Sequence, residues 1–160
     1  MIGTGIQNVH ASNMASITID YYDETGTLTC SVNDTINSLS TKGYWMPGVS
    51  CLPSTWTGSA VISSDQPIVA MGRPHMGSEI MTYNGVGSGN TSIYIPMLFN
   101  AAFGGSYNAA FYIQNLDPTN SADVTIQFYN STTGALSCTD TDTLSSRAGS
   151  DYWLNDMCTP

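Results

Sequence analysis

Apolar and polar residues alternate with a period of two in "ITIDYY", residues 17 to 22, where Ile17, Ile19 and Tyr21 face one way and Thr18, Asp20 and Tyr22 the other. That alternation predicts a β-strand with one buried side. "VTIQFY", residues 124 to 129, has the same pattern, with Val124, Ile126 and Phe128 on the inner row. Each strand runs into a turn, "DETG" or "NSTTG", with Gly26 or Gly134 where a positive φ is expected. Further strands are predicted at "TLTCSV", "GYWMP", "TGSAVIS", "PIVAMG", "EIMTY" and "TSIYIPM". No stretch holds a 3.6-residue period over three turns. Short strands separated by turn signals predict an all-β fold, an antiparallel Ig-like β-sandwich.

The two strands belong to a longer internal repeat. At an offset of 107, Ile6-Gln7-Asn8 falls on Ile113-Gln114-Asn115. One extra residue in the second turn moves the offset to 108, and Gly26, Leu28 and Cys30 then meet Gly134, Leu136 and Cys138. Asp34-Thr35 meets Asp142-Thr143, and Tyr44-Trp45 meets Tyr152-Trp153. A later deletion aligns Cys51 with Cys158 and Pro53 with Pro160. This order of residues in two places marks a repeat. The first copy runs on for about 45 residues that the second does not show. Residues 1–97 are therefore expected to form a complete unit, 98–108 a connector, and 109–160 the first half of a second unit completed by a neighbouring chain.

Charge narrows the class. Three cationic side chains (Lys42, Arg73, Arg147) stand against twelve acidic ones, and only 9% of residues are charged. Without a basic patch there is nothing to displace counterions from phosphates, so nucleic acid is not an expected partner. No run of 18 apolar residues is present, so membrane insertion is not expected either. A polar, weakly charged, Ser/Thr-rich surface with an even number of cysteines points to an extracellular or cell-surface location.

Four cysteines allow three pairings. The matching separations of Cys30 from Cys51 (21) and Cys138 from Cys158 (20) favour a disulfide within each copy. Neither His10 nor His75 has an evident serine or cysteine partner, although His75 lies near Arg73 and Glu79. No catalytic residue is assigned and the chain is not expected to be an enzyme. Asp140 and Asp142 lack a closing calcium loop, and the cysteines lack zinc spacing, so neither metal nor cofactor is expected. Asn33, Asn90 and Asn130 begin N-x-S/T tripeptides, each in or beside a predicted turn, and are candidate glycosylation positions. Tyr21, Tyr22, Tyr44, Trp45 and Trp56 could include a platform for stacking sugars. A tryptophan close to a disulfide is, however, expected in the core, and Tyr22 and Tyr129 on the outer face are the better candidates for exposure.

The blocks "IQN", "ITIDYYDETG", "LPSTWTGSAVISSDQPIVA" and "TYNGVGSGNTSIYIPML" (6–8, 17–26, 52–70 and 82–98) resemble a family of tandem β-sandwich repeats in large secreted or cell-surface bacterial proteins. The second copy carries the first two blocks as 113–115 and 124–134. The resemblance implies a structural or adhesive role without assigned catalysis. The expected function is thus a subunit of a surface filament or sheath, a homopolymer joined head-to-tail through β-strand contacts. A carbohydrate-binding or adhesive module of a larger surface protein is the alternative. Val124, Ile126, Phe128 and Trp153 are expected to form the assembly interface, because the second copy lacks the strands that would cover them.

Overall fold

A computed structural model describes residues 2–76, 79–80, 82–105 and 109–157, and the backbone alone at 2, 74–76, 79, 80, 102 and 103. Apart from a 3-10 turn at Met46–Gly48 and a four-residue helical turn at Ala102–Gly105, its regular structure is antiparallel β. The described chain divides into two units, Met1–Asp23 with Leu28–Ser88, and Glu24–Thr27 with Gly89–Pro160.

The first unit contains two sheets. In one, β1 (Ile2–Asn8) lies between β4 (Thr41–Trp45) and β6 (Ile68–Met76), and β6 also pairs briefly with β7 (Glu79–Ile80) and β8 (Tyr83–Asn84). In the other, β2 (Ala15–Asp23) lies between β3 (Leu28–Ile36) and β5 (Gly58–Ser64). The alternation read from the sequence is the burial pattern of β2: Ile17, Ile19 and Tyr21 are 3%, 2% and 0% exposed. With Ile6, Ala15 and Ile36 they form a core drawn from both sheets. Trp56 packs against this core, meeting Tyr21 edge-on at 5.6 Å between ring centroids. Cys30 pairs with Cys51, as their spacing suggested, with Cα atoms 5.9 Å apart.

The second unit has two two-stranded sheets. β9 (Ala110–Gln114) pairs with β12 (Gly149–Trp153), and β10 (Ala122–Tyr129) with β11 (Leu136–Leu144). These pairings reproduce β1 with β4 and β2 with β3. Even the irregularity is repeated: the register slips between Tyr21 and Tyr22 in one hairpin and between Phe128 and Tyr129 in the other. Each slip follows from one extra residue on the facing strand, a β-bulge that sharpens the local twist. Both turns close on glycine at positive φ, 84° at Gly26 and 70° at Gly134.

Two expectations need correction. The strand predicted at "TSIYIPM" is not formed; residues 91–97 have no strand partner among the described residues and are exposed throughout. Trp153, expected on the inner row, alternates outward. Tyr152 takes the inward place at 8% exposure while Trp153 is 41% exposed. The tyrosine donates its hydroxyl to Asp142 Oδ2, and the larger indole donates Nε1–H to Asp151 Oδ2 at 2.6 Å on the outer face.

Candidate assembly surface of the second unit

Strand β10 presents Val124, Ile126 and Phe128 on one face, with Asp123, Thr125, Gln127 and Tyr129 on the other. The inner three are half-buried, whereas their counterparts Ile17, Ile19 and Tyr21 are buried almost completely. The difference has a topological cause. β2 is flanked by β3 and β5, in seven residue pairs with β5 from Ile17–Ser64 to Asp23–Gly58. β10 has β11 on one side and, among the described residues, no strand on the other. β9 stands likewise beside β12 alone, where β1 has β4 and β6. Open edges of this kind present unpaired N–H and C=O groups to any passing chain.

Several apolar residues of the second unit are nonetheless buried. Leu144, Ala148, Tyr152, Leu154 and Met157 are buried, and Phe111 stacks on Tyr152 with ring centroids 5.4 Å apart. Tyr152 donates its hydroxyl to Asp142 Oδ2 at 2.8 Å, as Tyr44 does to Asp34 Oδ2 at 2.9 Å. Burial, reinforced by the neighbouring carboxylate, holds both tyrosine hydroxyls protonated far above their ordinary range. These pairs fasten β4 to β3 and β12 to β11. The aligned Asp-Thr and Tyr-Trp pairs carried that signal in the sequence, although their contact was not foreseen.

The remaining candidates separate. Asn90 is exposed in a loop, and Asn130 opens the β10–β11 turn, its Oδ1 accepting the N–H groups of Thr132 and Thr133 at 2.9 Å each. Asn33, expected beside a turn, instead sits within β3, where Thr18 Oγ1 donates to its Oδ1 at 2.8 Å. Strand pairing took the tripeptide because Asn33 faces Thr18 across the hairpin. Tyr129 is exposed, as expected of the outer face, and donates to Gln127 Oε1 at 2.9 Å. The side chains of His75 and Glu79, and the whole of Cys158, lie outside the described residues, so the Cys138–Cys158 pairing does too. No described cysteine is free. Among the described residues no group of three or more His, Cys, Asp or Glu could hold a metal ion.

His10 has a structural task. Its Nδ1 accepts the backbone N–H groups of Ser12 and Asn13 at 3.2 and 3.0 Å. Asp117 Oδ1, at the aligned position, accepts those of Thr119 and Asn120 at 2.8 and 2.9 Å. Two chemically different acceptors close the same turn.

No protein-family model matches this chain, and neither does any curated protein or solved structure. Among the described residues no helix is long and apolar enough to cross a membrane.

Proposed function

We propose that this protein is a non-enzymatic structural subunit of an extracellular filament or sheath, assembled head-to-tail through β-strand contacts. Each unit is read as an Ig-like sandwich or part of one, of the tandem-repeat kind that the sequence blocks resemble. The observation that carries this reading is the contrast between β2 and β10: one apolar row, twice present, is sealed in the first unit and half-open in the second. A partly open apolar face beside an unpaired edge is the chemistry of an interaction surface. When the surface that covers it belongs to a different part of the next copy, the contact is heterologous and propagates unless rotation closes a ring. The Cys30–Cys51 disulfide fits an oxidising environment and ties the loop before β5 to strand β3.

Sedimentation velocity of the full chain over a wide concentration range tests the reading, with negative-stain microscopy of the same samples. The expected result is a concentration-dependent series of larger species and regular fibres. A monodisperse monomer at every concentration overturns it.

A further inference from the structure

The segment Thr91–Met97, "TSIYIPM", has the properties of a β-strand but none of its contacts. Its apolar residues alternate, with Ile93, Ile95 and Met97 on one side and Tyr94 on the other. Ile93, Tyr94, Ile95 and Met97 are 71%, 91%, 45% and 68% exposed. Among the described residues none of Thr91–Met97 takes part in a hydrogen bond. Exposed apolar residues scattered singly require no explanation, but four within five positions on an unpaired backbone form a surface that water solvates poorly.

Resting on the assembly reading above, we propose that Thr91–Met97 of one copy is the strand that docks on the open edge of β10 in a second copy, in the place β5 occupies beside β2. Three features converge on this pairing. Length is the first: β5 meets β2 over seven residue pairs, and Thr91–Met97 supplies seven residues.

Pro96 is the second. Lacking an N–H, proline belongs on an edge strand with its nitrogen turned from the partner. β5 is an edge strand of its sheet, whereas the other vacant place, beside β9, corresponds to β6, which has neighbours on both sides. Backbone groups alternate in direction along a strand, so turning Pro96 outward directs the N–H and C=O groups of Ile93, Ile95 and Met97 toward β10.

Charge is the third. The chain carries a net charge of −9, so copies repel one another unless the meeting surfaces are neutral. Residues 89–100 contain no charged side chain, so this donor brings no like charge to a face on which Asp142 and Asp140 stand opposite Val124 and Ile126. The donor is a second copy and not the segment's own chain, because Tyr94, at 91% exposure, is not seated on any strand of its own molecule. Main-chain bonds would supply affinity, and Ile93, Ile95 and Met97 would cover the half-open row, the division of labour of β-strand addition.

The test compares the full-length wild type with Ile93→Asp/Ile95→Asp, whose side chains are exposed in the folded chain. The variant should keep the wild-type circular dichroism, and the concentration for half-assembly should rise at least tenfold. A peptide of residues 90–98 added to the wild type should block growth in proportion to its concentration. In a mixture of Tyr94→Cys and Gln127→Cys chains, oxidation should link position 94 of one chain to position 127 of another, the pair brought opposite when the segment takes β5's register. If the wild type assembles and the Asp variant assembles at the same concentration, the donor assignment is overturned while the filament reading stands. A single chain carrying both cysteines that cross-links only within itself also overturns it. A monomeric wild type overturns both.

Discussion

Asn8 and Asn115 make the same buried contacts in the two copies. Asn8 Nδ2 donates to the carbonyls of Asn13 at 2.7 Å and Ile36 at 3.1 Å, and its Oδ1 accepts the N–H of His10 at 2.9 Å. Asn115 Nδ2 donates to the carbonyls of Asn120, Leu144 and Ser145 at 2.8, 3.2 and 3.0 Å, and its Oδ1 accepts the N–H of Asp117 at 3.0 Å. One amide thus ties the end of a strand to the turn that follows and to the end of a strand in the other sheet. Asn8→Leu keeps the volume but strands these partners, and should cost about 2–3 kcal/mol. Urea unfolding of the full chain measures it; a loss under half a kilocalorie would mean water replaces the amide.

The turn beyond each asparagine gives a second prediction. His10 Nδ1 and Asp117 Oδ1 accept equivalent pairs of N–H groups. His10→Asp should therefore leave stability within about 0.5 kcal/mol of wild type, as changes that preserve a contact do. His10→Ala should cost about 1 kcal/mol, the ordinary loss for removing such an acceptor. Equal losses for both variants would show that the turn does not depend on the acceptor.

Acid should weaken the first unit through Asp34. Its carboxyl is held below the ordinary 3.8, first by the hydrogen bond from Lys42 Nζ at 2.8 Å, then by the Thr35 N–H, with the Tyr44 hydroxyl contributing less. Because the folded value is depressed, the unfolded chain takes up the proton first as pH falls. The stabilisation is present above 3.8 and is lost as the pH drops from there through the folded value. Asp34→Asn should flatten the dependence of the urea midpoint on pH between 5 and 3, approximate bounds that bracket the ordinary carboxylate range. An unchanged slope would remove Asp34 from the account.

Much of the fold was legible because the repeat states it twice. The period-two rows, the glycine turns and the Cys30–Cys51 spacing all follow from local chemistry that a sequence displays. Trp153 was misplaced because alternation says that neighbours face opposite ways but not which goes inward. Asp142, distant in sequence, gives the Tyr152 hydroxyl its partner. The segment 91–97 has strand propensity, yet a strand needs an edge to pair with, and propensity does not name one. Asn8 and Asn115 were aligned as letters. Their burial depends on carbonyls 28 and 29 residues away, which no spacing rule reveals.

Removing the first unit's disulfide provides a further measure. Cys30→Ser/Cys51→Ser opens a loop of 21 residues and should cost about 3 kcal/mol, chiefly by freeing the unfolded chain. Thermal unfolding without reductant checks it. A loss below one kilocalorie would indicate that residual structure already restrains the unfolded chain without the bridge.

Tyr21 and Phe128 are aligned residues of the two inner rows, and they differ by one hydroxyl. Tyr21 is fully buried against Trp56, and among the described residues its hydroxyl has no hydrogen-bond partner; Trp56 Nε1 is in the same position. Burial pushes the tyrosine's ionisation above its ordinary range, as expected where an apolar surround disfavours the anion. A buried polar group without a partner carries a desolvation cost of about 1–3 kcal/mol. Tyr21→Phe removes that cost, keeps the ring and its edge-on contact with Trp56, and installs the residue the second copy already uses. It should stabilise the protein by about 1 kcal/mol, in contrast to most core substitutions, which destabilise. The urea midpoint of the full chain should rise with an unchanged slope. A fall of a kilocalorie or more would show that the hydroxyl is satisfied after all, most simply by an ordered water shared with Trp56 Nε1. In that case Trp56→Phe should produce a similar fall, and the double variant should cost less than the two single losses combined, because both act on one water.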